Sequence, residues 1–122
     1  MAKILVVDDR AEIRSALRLI LERAGHEVSL AKNGQEAIDR FQSVQPDLMI
    51  LDLFMPIMNG FDALFILRQE YPDAKVIAVS GGGSTMGSDA LQEAAELGAQ
   101  MTLQKPIMPT ALIEAVSRLL VA

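Results

Sequence analysis

The chain has no cysteine, no tryptophan, a single histidine and few aromatic residues, which make up 4% of its 122 positions. Without cysteine it can form neither disulfides nor thiolate metal sites, a composition compatible with a reducing cytoplasm. Hydrophobic residues nevertheless account for 51% of the chain and charged residues for 22%, as in ordinary globular proteins. The sequence therefore predicts one cytoplasmic globular domain, long enough to enclose a hydrophobic core.

Excess positive charge and long apolar runs are also missing. The formal net charge is −5, which disfavours direct binding to nucleic acid or to an anionic membrane surface. No apolar run approaches the ~18 residues that a membrane span needs, and the first residues lead into a predicted strand without a signal-peptide layout. We therefore expect a single domain over residues 1–122, with no output domain, no nucleic-acid contact and no membrane partner.

Short apolar runs alternate with amphipathic segments along the whole chain. Three runs, KILVVD, LMILD and KVIAVS, are typical of strands buried on both faces. Residues 27–31 alternate between polar and apolar, which indicates a strand near a sheet edge, and residues 100–104 form a fifth candidate strand. Helices are predicted after each strand; the fourth follows a glycine-rich loop over residues 81–87, and Ser88 or Asp89 is expected to be its N-cap.

Strict alternation of strands and helices predicts an α/β fold with a parallel sheet and helices on both faces. Ligands of such sheets bind outside the carboxyl ends of the strands. The polar residues at those ends are Asp8, Asp9, Asp52, Ser80 and Lys105. The topology therefore brings three acids, one hydroxyl and one amine to one edge of the sheet.

Three neighbouring carboxylates repel one another unless a cation lies between them. Mg²⁺ is the simplest candidate, because it binds carboxylates, backbone carbonyls and water. A carboxylate that stays partly free can attack phosphorus and form an acyl phosphate. Lys105 would then neutralise charge on the transferred group, and Ser80 would donate a hydrogen bond to it.

The same residues carry a resemblance that covers essentially the whole chain. Asp8-Asp9, the segment LDLFMPIMNG around Asp52, Ser80 and Lys105-Pro106 stand in the order found in receiver domains of two-component response regulators. The chain thus resembles a receiver of the chemotaxis-regulator type. The resemblance implies a flavodoxin-like, doubly wound (βα)5 fold with strand order 2-1-3-4-5 and a cis peptide before the proline.

Roles for single residues follow from this resemblance. It implies that Asp52 accepts the phosphoryl group, that Asp9 binds Mg²⁺ directly and that Asp8 acts mainly through bound water. The backbone carbonyl of Phe54 would be a further metal ligand. The switch residues would be Ser80, whose hydroxyl moves toward the phosphoryl group, and Thr102, which stands where the family usually has an aromatic residue. Lys105 would pair with the phosphoryl group.

The resemblance also implies partners. A histidine kinase or a histidine phosphotransfer protein would donate the phosphoryl group, and exposed Leu19 on the first helix would help to dock it. The signal would pass to an unknown protein target through the fourth helix, the fifth strand and the fifth helix. The resemblance leaves open whether the chain forms a dimer on phosphorylation.

Two other functions fit part of the pattern. An aspartyl-phosphate hydrolase would use the same nucleophile, but its signature has a second acid two residues later, where this chain has Phe54. A receiver-like module that binds partners without phosphate is favoured by Thr102 alone. We therefore expect no enzyme activity beyond the chain's own phosphorylation and dephosphorylation.

Overall fold

The computed structural model describes residues 1–81 and 85–121, and for residues 85–88 the backbone alone. Five strands alternate with five helices, as the sequence predicts. In chain order they are β1 Lys3–Val7, α1 Ala11–Arg23, β2 Glu27–Ala31, α2 Gly34–Val44, β3 Leu48–Asp52, α3 Gly60–Glu70, β4 Val76–Ser80, α4 Thr85–Glu96, β5 Met101–Gln104 and α5 Pro109–Val121.

All five strands are parallel and form one sheet in the order β2-β1-β3-β4-β5. This confirms the predicted flavodoxin-like architecture. The strands β3 and β4 are buried along their whole length, whereas β2 and β5 at the edges are only half-buried. Because the strands are parallel, their carboxyl ends lie together at one edge of the sheet, which we call the rim.

Two hydrophobic cores lie on opposite faces of the sheet. Alternate strand residues pack against α2, α3 and α4 on one face and against α1 and α5 on the other. This period of two is what the side-chain alternation of strands requires. The strands of the rim are therefore held from both faces, so that the polar residues at their ends have fixed positions.

One predicted boundary is wrong. The fourth helix begins at Thr85 and not after an N-cap at Ser88 or Asp89, so that the glycine at position 87 lies inside the helix. A glycine in a helix costs only ~1 kcal/mol relative to alanine, which the packing of the remaining helix can offset. Residues 82–84 of the predicted loop lie outside the described residues.

Two further observations bear on the sequence predictions. The Lys105–Pro106 peptide bond is cis, as the resemblance implied. Within the described residues, none of the helices combines the length and the apolar character that crossing a membrane requires.

Candidate functional site

The rim brings together the three acids that the sequence singles out. Asp8 and Asp9 follow β1, and Asp52 ends β3, the neighbouring strand. The side chains of Asp8 and Asp52 are almost fully buried, whereas Asp9 is exposed. One carboxylate oxygen from each acid lies within 4.8 Å of the other two. This is a closely spaced set of hard oxygen donors, and it fits the ligand preference of Mg²⁺.

Lys105 lies between two of these acids. Its Nζ donates to Asp8 Oδ2 at 2.9 Å and to Asp52 Oδ2 at 3.5 Å. The lysine follows β5, and its backbone N–H donates to the carbonyl of Ser80 at the end of β4. The amine is therefore held over the acids from the far side of the rim, and it neutralises Asp8 more directly than Asp52.

The electrostatics of the rim follow from this geometry. Burial raises the pKa of Asp52 to about 6, and the negative charge of Asp8 adds to this effect, while Lys105 and the Phe54 N–H oppose it. Burial alone would lower the pKa of Lys105, but its hydrogen bond to Asp8 and the charges of both acids raise it. Asp52 thus carries a charge that its surroundings do not fully compensate, as expected for a group that reacts or binds a cation.

Backbone contacts fix the loop that carries the acid pair. The N–H of Arg10 donates to Asp8 Oδ1 at 2.9 Å, and Arg14 Nη1 donates to the Asp8 carbonyl at 2.8 Å. The Asp8 N–H donates to the carbonyl of Ala31 on β2. Sequence reasoning missed Arg14, because an arginine one turn into a helix usually faces solvent and nothing in its spacing indicates a carbonyl partner.

The loop after Asp52 is equally well defined. The N–H of Phe54 donates to Asp52 Oδ1 at 3.4 Å, and the N–H of Gly60 donates to the carbonyl of Leu53 at 2.9 Å. A Cβ atom at Gly60 would collide with the backbone oxygen of Asp52, so this position requires glycine. The segment LDLFMPIMNG thus folds back beside its own aspartate.

The two predicted switch residues have different positions. Ser80 is fully buried at the end of β4, and its hydroxyl donates to the carbonyl of Gly81 at 3.4 Å. Thr102 is half-buried on β5, opposite Ala78 of β4. Since Met101 and Leu103 pack toward α1 and α5, Thr102 lies on the face covered by α4. Ser80 therefore lies at the rim, whereas Thr102 lies two residues below it.

A cavity of about 820 Å³ lies at the opposite edge of the sheet, near the amino ends of the strands, and is lined in part by His26, Tyr71 and Lys75. We assign the functional site to the rim and not to this cavity. The rim combines three acids that can share a cation with a lysine contact and a raised carboxyl pKa. Among the described residues, these three acids are the only group of three side chains placed to bind one metal ion.

Comparison with known proteins gives a consistent result. Residues 4–117 match the family model of the response regulator receiver domain. The chain is 37% identical over 118 residues to the chemotaxis protein CheY of Thermotoga maritima, covering 95% of each chain. It superimposes on the receiver domain of NtrX from Brucella abortus with a TM-score of 0.91 at 29% identity, covering 98% of each chain. For chemotaxis protein CheY4 of Vibrio cholerae the TM-score is 0.87 at 33% identity, again over 98% of each chain.

Proposed function

Because the chain belongs to the response regulator receiver family, we propose that it is a two-component receiver whose Asp52 accepts a phosphoryl group from a phosphohistidine. The observation that carries this proposal is the position of Asp52, a buried carboxylate with a raised pKa, beside two other acids and a lysine. Family membership supports the general role, and this geometry supports the choice of Asp52 as acceptor.

In the proposed reaction a carboxylate oxygen of Asp52 attacks phosphorus. The P–O bond forms while the P–N bond of the phosphohistidine breaks, and the released imidazole nitrogen takes up a proton from solvent. The charge on Asp52 that its surroundings leave uncompensated makes this carboxylate the nucleophile among the three acids. Asp8 is already engaged with Lys105 at 2.9 Å and with the Arg10 N–H.

The proposed Mg²⁺ would be held by Asp8, Asp9 and Asp52, with the backbone carbonyl of Phe54 as a further ligand. When bound, Mg²⁺ supplies positive charge that offsets the repulsion among the acids and the charge on the phosphoryl oxygens. Exposed Asp9 is the acid that solvent reaches most easily, and Asp8 is shared with Lys105. These differences support a direct contact from Asp9 and a contact through water from Asp8.

Lys105 and Ser80 would recognise the product. Lys105 Nζ lies 3.5 Å from Asp52 Oδ2, so a short movement would bring it to an oxygen of the phosphoryl group. The Ser80 hydroxyl, which donates to the adjacent Gly81 carbonyl, would rotate toward the same group. Movement of these two residues changes the ends of β4 and β5, and this is how phosphorylation would shift the balance between two conformations.

The partners in this proposal are proteins. A histidine kinase or a phosphotransfer protein in the cytoplasm would donate the phosphoryl group, docking on α1, where Leu19 is 51% exposed. The target would bind to α4, β5 and α5, with exposed Met108 just before α5 and exposed Ile113 on it. We propose no catalytic turnover of other molecules, because the side chain two residues past Asp52 is Phe54 and not the second acid that a hydrolase needs.

Mass spectrometry after incubation with acetyl phosphate and Mg²⁺ tests the proposal. We expect the parent to gain ~80 Da, the mass of one phosphoryl group, and Asp52→Ala to gain nothing, since it lacks the nucleophile. Adding a chelator should suppress the adduct, and Asp39→Ala, an exposed acid on α2, should behave as the parent. An adduct that survives in Asp52→Ala would contradict the assignment.

A phosphate-independent binding module is the second candidate, and the half-buried Thr102 is the observation that favours it. A threonine cannot fill the volume of the aromatic side chain that usually reports phosphorylation in this family. This candidate predicts equal affinity for the target with and without the phosphoryl mimic beryllofluoride, and the same affinity for Asp52→Asn. A difference between the two states would exclude it.

A further inference from the structure

Aromatic side chains are concentrated on one part of the surface. The chain has four phenylalanines and one tyrosine, and three of the five lie in an aromatic strip formed by Phe54, Phe61 and Phe65. Phe54 and Phe65 are 50% and 55% exposed. The rings of Phe54 and Phe61 meet edge to face with centroids 5.8 Å apart, and Phe65 follows one turn further along α3. Exposed aromatic surface of this kind is typical of binding sites.

The strip lies on the flank of α3 that faces α4. Arg68 Nη2 donates to the carbonyl of Gly98, just after α4, at 2.6 Å, so the Arg68 flank is the one beside α4. Phe61, Phe65 and Arg68 are spaced by four and three residues and therefore share this flank. Each of the three directly follows a buried residue of α3.

The facing flank of α4 is acidic. Both helices connect parallel strands on the same face of the sheet, so they run in the same direction. On α3, the residues that face α4 come directly after the buried residues in the sequence. On the parallel helix α4, the residues that face α3 must therefore come directly before the buried residues of α4. Asp89 and Glu93 directly precede buried Ala90 and Ala94, and Glu96 precedes the half-buried residue 97. These three exposed acids form what we call the acidic stripe.

Positive charge is scarce around this surface. The single base on α3 is Arg68, and α4 has none. The Arg68 guanidinium donates to the carbonyls of Pro72, Ala74 and Gly98, and is therefore committed to the backbone. Among the described residues, none forms an ion pair with the acidic stripe. A strip of apolar rings thus runs beside uncompensated negative charge.

We propose that the aromatic strip and the acidic stripe together bind a basic amphipathic helix of a partner protein. The apolar residues of that helix pack on Phe61 and Phe65, and its lysines or arginines face Asp89 and Glu93. Apolar anchors at the centre of an interface contribute most of its affinity, and charges at its margin select the partner and speed association. An amphipathic helix in a groove is a common form of peptide recognition.

A second copy of the chain fits this surface less well. Arg10, just before α1, is already paired with Glu12 at 2.8 Å, and Arg18 on α1 is paired with Glu22 at 3.2 Å. Two copies also carry the same net charge of −5, so their approach is unfavourable. The charge of the surface therefore selects a separate, basic partner.

Fluorescence anisotropy with a labelled peptide tests the proposal. The probe is a peptide of ~14 leucines and lysines in an amphipathic helical order, which spans ~21 Å as a helix. We expect Phe65→Ala to weaken its binding ~5-fold, as for loss of one apolar anchor. Glu93→Gln should weaken it ~2-fold and reduce its salt dependence, as for one charge pair near the surface. Both residues are exposed, and thermal melting of each variant checks that the fold is unchanged.

Matched controls are available on other surfaces. Val121→Ala removes an apolar side chain with 86% exposure from the last residue of α5, and Glu27→Gln removes an exposed acid from β2. Both should bind the peptide as the parent does, and a peptide of the same composition without amphipathic order should bind much more weakly. Equal losses in Phe65→Ala and Val121→Ala, or equal binding of both peptides, would overturn the proposal.

Light scattering tests whether a second copy of the chain, and not a partner helix, occupies the surface. A parent dimer that Phe65→Ala converts to a monomer would mean that a second copy occupies the surface, and it would overturn the proposal. All of these measurements use the unphosphorylated chain without Mg²⁺. Their failure is therefore distinguishable from a failure of Asp52 to accept a phosphoryl group.

Discussion

At the carboxyl ends of the strands a lysine contacts two acidic side chains, whereas at the amino ends an acid and a lysine contact backbone groups. Lys105 lies between Asp8 and Asp52 at the rim. At the opposite edge Asp47 accepts from the N–H of Lys3 at 2.8 Å, and Lys75 donates to the carbonyl of Leu119 at 2.7 Å. Fixed backbone dipoles satisfy a charge permanently, whereas a charge satisfied by another side chain can exchange that partner for a ligand.

This difference separates stability from function within one small domain. At the amino edge, charged side chains hold turns and helix ends in place through hydrogen bonds to the backbone. The rim keeps a buried carboxylate whose pKa is raised to about 6, so its charge destabilises the folded chain at neutral pH, and the proposed cation would offset this cost. Removal of a charged side chain should therefore lower the free energy of unfolding at the amino edge, whereas removal of the Asp52 charge should raise it at the rim.

The largest effect is expected at the amino edge. Arg68→Ala removes three hydrogen bonds from a charged donor, to the carbonyls of Pro72, Ala74 and Gly98. At ~1.5 kcal/mol for each bond, the free energy of unfolding should fall by ~4 kcal/mol. Urea unfolding measures the change. Arg18→Ala, which removes an exposed ion pair, should cost less than ~0.5 kcal/mol, and similar losses in both variants would contradict this interpretation of the amino edge.

The next effect is a gain at the rim that depends on pH. The pKa of Asp52 is raised from 3.8 to about 6 by burial and by Asp8, so between these values the folded chain binds more protons than the unfolded chain. The free energy of unfolding therefore falls as pH rises through this range. At ~1.4 kcal/mol for each pKa unit, the free energy of unfolding of Asp52→Asn should be higher than that of the parent by up to ~3 kcal/mol at neutral pH without Mg²⁺.

Urea unfolding over a series of pH values, with a chelator present, measures this difference. It should vanish near pH ~4, where the carboxyl group of the parent is protonated in the folded state. Asp73→Asn, which removes an exposed acid at the amino edge, serves as the control and should show no such trend. A stability difference for Asp52→Asn that does not change with pH would show that its charge is fully compensated.

The smallest effect compares two residues with left-handed backbone, one at each edge. Ile57, in the loop after Asp52, has φ of 70° and is 84% exposed, and Gln45, before β3, has φ of 50°. Because a side chain branched at Cβ is especially unfavourable there, Ile57→Gly should raise the free energy of unfolding by ~1 kcal/mol. Gln45→Gly should gain about half as much, measured by thermal melting. A loss in Ile57→Gly would mean that the isoleucine makes a stabilising contact.

The fold could be predicted almost completely, because its signals are local or topological. The runs KILVVD, LMILD and KVIAVS are buried strands as expected, and parallel strands necessarily bring Asp8, Asp52 and Lys105 to one edge. The start of α4 was wrong because glycine at position 87 is a weak signal that helix packing overrides.

The energetics of the site could not be predicted, because they depend on distances. Nothing in the sequence indicates that Lys105 contacts Asp8 at 2.9 Å and Asp52 at 3.5 Å, or that the Ser80 hydroxyl donates to Gly81. The contacts of Arg14 and Arg68 were hidden for a different reason. Their acceptors are backbone carbonyls, which every residue has and which therefore leave no trace in a sequence.

The loop after Asp52 is closed at both ends. The N–H of Leu53 donates to Val79 and that of Gly60 to Leu53, both at 2.9 Å, while the N–H of Gly34 donates to Met58 at 3.0 Å. Residues between these anchors can be exchanged without moving the aspartate. The size and polarity of the Phe54 side chain can therefore change while the backbone that positions Asp52 stays in place.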